Sequence, residues 1–107
     1  MGVRASEIKQ PREILLKGID FSGSNKLASG DSLKLSGSSV IVTDEDDDDV
    51  SAAMVVPGSL SVSVPDNTIS AFIQGGTTGR EYKITFLAAT LQGELLEEDI
   101  ILPVENL

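Results

Sequence analysis

The chain of 107 residues contains no cysteine and no histidine. Without cysteine it can form neither disulfide bonds nor thiolate metal sites, and its redox compartment is left undetermined. Without histidine it lacks the commonest general base and the commonest metal ligand. Its many serines have no imidazole to activate them, so we expect no catalytic residue and no cofactor.

Aromatic residues and long apolar runs are also scarce. Aromatics make up 4% of a chain that is 40% hydrophobic, so the core must be built mainly from Val, Ile and Leu. No apolar run approaches the roughly 18 residues that a membrane span needs, and residues 1–10 lack the apolar centre of a signal peptide. We expect a flexible N-terminal arm, residues 1–10, followed by a single domain, residues 11–107.

The formal net charge is −9 and is unevenly placed. Through Lys34 the chain holds six basic and four acidic residues, whereas from Leu35 onward it holds two basic and thirteen acidic residues. This balance argues against nucleic acid and membranes as partners. The plain interpretation of this charge is that it keeps the protein in solution. The alternative is attraction between copies or partners, with Arg4 and Lys9 of the arm as candidate contacts for an acidic flank.

Apolar residues recur with a period of two over much of the chain, which is typical of half-buried β-strands. Turn residues separate these runs at intervals of about 8–12 residues, which favours an all-β, immunoglobulin-like antiparallel β-sandwich of about seven strands. Helical spacing near Leu91 is outweighed by β-branched Ile100 and Ile101. The predicted strands are Glu13–Ser22, Asp31–Leu35 with Val40–Thr43 as its continuation or a further strand, Ala52–Val56, Leu60–Val64, Ile69–Ile73, Tyr82–Ala88 and Leu95–Val104.

The clearest turn lies between the two strands at Ile69–Ile73 and Tyr82–Ala88. Gly75, Gly76 and Gly79 supply the positive φ angles that tight turns require. No Gly-Lys-Ser/Thr follows them, so the loop does not read as a phosphate-binding P-loop. Tyr82 opens the next strand, and we expect Tyr82 and Phe86 to be structural core residues, with the tyrosine hydroxyl reaching a backbone group.

The acidic run Asp44–Asp49 raises the question of a calcium site. Asp44, Asp46 and Asp48 alternate as in an EF-hand loop, but Asp49 then stands where that loop needs glycine. Val55 stands where it needs glutamate. Adjacent carboxylates repel one another, so we expect a solvated, mobile loop that is dispensable for folding and holds no specific metal ion.

Four segments together resemble a family of small phage and prophage structural proteins, including those described as fibre–tail adaptors. The resemblance covers residues 11–104, and its most specific part is the pattern Gly-Gly-Thr-x-Gly-x-x-Tyr. The matching segments are Glu13–Phe21, Gly30–Leu33, Gly75–Tyr82 and a glycine turn at Gly93 that leads to a last strand ending near Val104.

The resemblance implies an immunoglobulin-like sandwich that serves as a non-enzymatic virion structural or assembly protein in tail or fibre attachment. Its partners would be other virion proteins or copies of itself. Its location would be the virion, and the host cytoplasm during assembly. The alternative is an immunoglobulin-like adhesion or carbohydrate-binding module, against which the scarcity of sugar-stacking aromatics counts.

Overall fold

The computed structural model describes residues 3–5, 8–22 and 26–106. This part of the chain forms an all-β sandwich with one short helix, as the period-two pattern predicts. No helix among these residues has the length and apolar character to cross a membrane. The elements are β1 Val3–Ala5, β2 Leu15–Asp20, β3 Leu33–Thr43, α1 Ser51–Met54, β4 Ser61–Ser63, β5 Thr68–Ile73, β6 Arg80–Thr90 and β7 Leu95–Val104.

The strands form two sheets with the orders β1-β7-β6-β3 and β2-β5-β4. All neighbours are antiparallel except β1, which pairs in parallel with β7. The core lies between the sheets and is mainly aliphatic, with Phe21, Phe86 and Tyr82 as its aromatic members. Along β6 the inward side chains Tyr82, Ile84, Phe86 and Ala88 are all buried.

β3 is one long strand with an irregularity. The sequence left open whether Val40–Thr43 continues the strand Asp31–Leu35 or forms a further strand. The register with β6 shifts between Lys34 and Ser39, and Gly37 takes a φ of 86°. The Ser38 hydroxyl bridges the gap, because it donates to the Lys34 carbonyl at 2.6 Å and accepts the Ala89 N–H at 2.9 Å. The side chain thus replaces hydrogen bonds that the ladder loses at the bulge.

The predicted strand Ala52–Val56 is wrong over most of its length, because Ser51–Met54 forms the helix α1. Two contacts of Ser51 hold the start of this helix. Its N–H donates to the Asp49 carboxylate at 2.9 Å, and its hydroxyl accepts the Val42 N–H at 2.8 Å. Only Val55 pairs as a strand residue, with Ile73. An apolar run too short for a clear period carries no sign of these contacts.

The predicted strand Leu60–Val64 is shorter in the structure, since β4 spans Ser61–Ser63. Val64 is 50% exposed and begins a turn in which its carbonyl accepts the Asn67 N–H at 3.3 Å. Asn67 takes a φ of 51°, a left-handed conformation that asparagine tolerates well. The turn therefore ends the alternation one residue earlier than the sequence indicates.

The N-terminal segment contributes a strand to the first sheet. Val3–Ala5 lies opposite Asp99–Ile101, and Lys9 pairs with Val104 further along β7. The predicted arm, residues 1–10, falls partly outside the described residues. The division into an arm and one domain, residues 11–107, stays a prediction.

Phe86→Ala tests the burial of the β6 face. Phe86 is fully buried, so its removal should lower the free energy of unfolding by about 3–5 kcal/mol. Phe72→Ala is the matched control, because Phe72 is 44% exposed on β5 and should lose far less. Urea titration at one temperature measures both, and equal midpoints for the two variants would contradict the assignment of the inner face.

Candidate functional site

The turn between β5 and β6 is held by the close approach of one glycine to the core. Gly75, Gly76 and Gly79 take φ angles of 68°, 97° and 86°, which L side chains rarely adopt. A Cβ atom at Gly76 would lie 2.8 Å from Cγ2 of Val104 and 3.3 Å from Cε of Met54. Glycine at this position is therefore required both by conformation and by space.

Tyr82 closes the same turn from the β6 side. Its hydroxyl oxygen accepts the Thr77 N–H at 2.8 Å while its ring is buried at 6% exposure. The Gly79 N–H donates to the Val104 carbonyl at 2.8 Å, which ties the turn to the end of β7. Gly75, Gly76 and Gly79 lie in this turn, and Tyr82 and Phe86 lie on β6. The purely structural role that the sequence predicts for these residues stays a prediction.

Lys9 is fully buried at this end of the sandwich. Its ammonium nitrogen donates to the carbonyls of Gly75 at 2.6 Å, Gln10 at 2.8 Å and Pro11 at 3.2 Å. Its backbone pairs with β7 on either side of Val104, through Pro103 and Glu105. Burial lowers the pKa of the Lys9 ammonium, and the nearby Glu13 carboxylate opposes this shift.

Lys9 therefore serves as an internal anchor rather than presenting its charge to solvent as an arm residue would. The Arg4 side chain lies outside the described residues. Sequence reasoning missed the anchor because its strongest acceptor, the Gly75 carbonyl, lies 66 residues further along the chain. The only local sign was Pro11, which marks the point where the chain turns toward β2.

Lys9→Met tests this anchor. The variant keeps the apolar stem but removes the ammonium donor of the Gly75 and Pro11 carbonyls, which are partly buried. Leaving a fully buried acceptor unsatisfied costs about 1–3 kcal/mol, which sets the upper limit of the loss. Relief from burying a charge offsets part of this loss, so we expect a net destabilisation in that range or below it.

Lys83→Met is the matched control for the anchor, since Lys83 is a half-exposed residue of β6 and should change stability little. Thermal unfolding followed by circular dichroism measures both variants. A Lys9→Met protein as stable as the Lys83→Met protein would show that the carbonyl contacts contribute nothing.

The acidic run, for which the sequence predicts a solvated, mobile loop, forms a hydrogen-bonded turn. Oδ1 of Asp44 accepts the N–H groups of Asp46 at 2.9 Å and Asp48 at 3.0 Å. The Asp44 N–H donates to the Asp48 carbonyl at 3.0 Å, and Asp47 takes a φ of 63°. The Asp44 carboxylate thus accepts the backbone N–H groups of the turn that follows it, as the side chain of an N-cap residue does at the start of a helix.

Arg80 offsets part of the charge of this turn. Its guanidinium lies 3.2 Å from Oδ2 of Asp46, 3.3 Å from Oε1 of Glu45 and 4.0 Å from Oδ2 of Asp44. The hydrogen bond to Asp46 raises the pKa of Arg80, burial opposes this shift, and the attraction of the Asp44, Asp46 and Glu45 carboxylates adds to it. One cation facing several carboxylates leaves the turn strongly acidic.

The alternation of Asp44, Asp46 and Asp48 does bring three carboxylates together. Their nearest oxygens lie within 4.8 Å of one another, a spacing that suits a cation. Two of the three carboxylates already contact the Arg80 guanidinium, and Asp44 also accepts two backbone N–H groups. The cluster is therefore a turn bound by arginine. The absence of a specific metal site stays a prediction.

Asp44→Ala tests the turn. The Asp44 side chain is 14% exposed, and its loss leaves two N–H groups without their acceptor, which should cost about 1–2 kcal/mol of stability. Asp48→Ala is the matched control, because that side chain is exposed and its removal only reduces like-charge repulsion. Urea denaturation of the two variants and of the parent protein measures the difference in their free energies of unfolding. If both variants are as stable as the parent protein, the turn is dispensable, as the sequence alone predicts.

Together these contacts define a small β-sandwich in which the N-terminal segment, the β5–β6 turn and the end of β7 are tied into one unit. In this unit the Lys9 ammonium holds backbone carbonyls, and the Arg80 guanidinium holds the carboxylates of the acidic turn. The family model described as podophage GP4 fiber-tail adaptor protein gp77 matches residues 9–103, and the chain belongs to this family. No curated protein matches the chain.

Proposed function

We propose that the protein is a non-enzymatic structural component of a phage particle that acts in joining fibre to tail. The observation that carries this proposal is the family match over residues 9–103, which extends from the anchor Lys9 to Pro103 in β7. Its partners are other virion proteins or further copies of itself. It is located in the virion and, during assembly, in the host cytoplasm.

The strand order supports an immunoglobulin-like topology for this adaptor. If β2 to β7 are taken as strands B to G, the sheet β3-β6-β7 corresponds to CFG and the sheet β2-β5-β4 corresponds to BED. The parallel strand β1 then occupies the place of a first strand that has moved to the edge beside G. Loops cluster at the two ends of such a sandwich and are available to partners.

Tyr82 supports the same topology independently of strand order. In immunoglobulin-like domains a tyrosine near the start of strand F bonds through its hydroxyl to the backbone a few residues upstream. Tyr82 stands near the start of β6, and its hydroxyl bonds to Thr77 at 2.8 Å. This contact fixes the corner between β5 and β6, which gives an adaptor a rigid end.

The N-terminal segment is the part of the adaptor that we assign to partner contact. Lys9 is committed to the sandwich through three carbonyls, so the contact role falls to the residues before it, Arg4 included. The anchor joins this segment, whose strand β1 pairs with β7, to the rest of the domain. A contact that depends on the basic charge of this segment would weaken with salt, because charges are screened over about 8 Å at physiological ionic strength.

The experiment is a pull-down of the tail and fibre proteins encoded in the same phage genome. The bait is the full chain, and the comparison is a variant lacking residues 1–7, which keeps Lys9 and its carbonyl contacts. We expect the full chain to retain at least one tail or fibre protein, and the shortened variant to retain less. Mass spectrometry of purified particles should also detect the chain.

The outcomes separate the adaptor role from the role of the N-terminal segment. Equal retention by both baits would remove the segment from the proposal and leave the adaptor role in place. Absence of the chain from purified particles, together with no retention by either bait, would overturn the adaptor role. The thermal unfolding midpoint of the shortened variant must be measured first, so that lost binding is not lost folding.

A further inference from the structure

β1 is a short strand at the edge of the first sheet. It spans Val3–Ala5 and pairs over three residues, whereas β6 and β7 pair over ten. Its pairing with β7 is parallel, and a parallel ladder is slightly less stable per residue than an antiparallel one. In the described part of the chain no other strand lies beside it. β1 can therefore separate from β7 without disturbing another strand pair.

Asp99 of β7 lies directly beside β1. Its register partners are Val3 on β1 and Thr85 on β6. Its side chain stands on the outer face of the sheet, because the next residue, Ile100, points into the core. Even so, Asp99 is only 7% exposed. Glu97, two residues earlier on the same face and outside the pairing with β1, is exposed, so the burial of Asp99 coincides with that pairing.

The Asp99 carboxylate is buried without full compensation. Its Oδ1 atom has no hydrogen-bond partner among the described residues. Buried carboxylates in proteins are as a rule paired or hydrogen-bonded, because removing the charge from water otherwise costs free energy. This cost falls when β1 leaves, since water then reaches the carboxylate. Asp99 therefore opposes the docking of β1 on β7.

Lys9 sets the other limit of a separation. Its backbone N–H donates to the Pro103 carbonyl at 2.9 Å, and its own carbonyl accepts the Glu105 N–H at 2.9 Å. Its ammonium group donates to three further carbonyls, one of which is that of Gly75 in the β5–β6 turn. These bonds hold the chain at Lys9, so β1 can leave without drawing the rest of the domain with it.

We propose that β1 is a releasable strap, which leaves β7 in a local opening that ends at Lys9 and whose frequency is set by Asp99. Local openings of this kind need less free energy than global unfolding and arise where few contacts hold an element. The open state frees the N-terminal segment and uncovers the edge of β7 at Asp99–Ile101. The inference goes beyond the proposed function and does not rest on it.

Tryptic cleavage after Arg4 measures the opening, because Arg4 lies in the middle of β1. When closing is fast relative to cleavage, the cleavage rate follows the population of the open state. Asp99→Asn removes the buried charge and should slow this cleavage on the order of tenfold, the effect of relieving one uncompensated buried group. Glu97→Gln is the matched control, because it removes the same charge from the same face outside the pairing with β1.

Thr85→Lys tests Asp99 from the opposite direction, by giving it a partner. Thr85 is the half-buried residue directly opposite Asp99 on β6, and opposite charges in this position attract across the strands. The substitution should slow cleavage after Arg4 in the parent chain but not in the Asp99→Asn chain. Thr85→Met is the control, because it adds a long side chain without a charge.

Two further measurements show where the opening ends. Cleavage after Lys9, identified by the mass of the product, should be far slower than cleavage after Arg4, because Lys9 stays in the sandwich. Cleavage after Arg4 should also change little with urea below the unfolding transition, because a local opening exposes little surface.

Three results would overturn the proposal. The first is an Asp99→Asn protein that is cleaved after Arg4 as fast as the Glu97→Gln protein. The second is cleavage after Arg4 and after Lys9 at one rate. The third is cleavage after Arg4 with the urea dependence of global unfolding. The thermal midpoint of each variant is measured alongside, and because the isolated chain is used, failure of this inference leaves the proposed function standing.

Discussion

The rest of the structure depends on the close approach of the Gly76 backbone to Val104, Tyr82 and Met54. Each of these side chains would lie within 3.4 Å of a Cβ atom at Gly76, so the turn fits only without one. The approach brings the Gly75 carbonyl to the Lys9 ammonium and the Thr77 N–H to the Tyr82 hydroxyl. Three parts of the chain that are distant in sequence are thereby fixed at one end of the sandwich, and both sheets share that end.

Elements whose side chains alternate between core and solvent could be predicted from the sequence. β7 has the predicted bounds Leu95–Val104, and the buried residues Ile69, Ala71 and Ile73 of β5 follow the predicted alternation. The period of two is set by the strand itself, so it is readable without knowledge of any partner. Ser51–Met54 could not be predicted in this way, because contacts of Ser51 with Asp49 and Val42 decide its helical form.

The charged groups show the same division between local and distant causes. The acidic run was predicted as solvated from the repulsion among its carboxylates, which is a local argument. Its form depends on Arg80, 34 residues away from Asp46, and on backbone N–H groups that only a folded turn directs at Asp44. The sequence likewise predicts Lys9 as an arm residue, because its acceptor, the Gly75 carbonyl, lies far away in the chain. Composition predicts how much charge a segment carries, but not which groups the fold brings to it.

The N-terminal strand β1 and the strand β2 that follows it lie on different sheets. The N-terminal strand β1 lies on the edge of the first sheet beside β7, whereas the open edge of β2 belongs to the second sheet. The connection from β1 to β2 passes from one sheet to the other immediately after Lys9, so the anchor fixes the chain at the point where it crosses between the sheets.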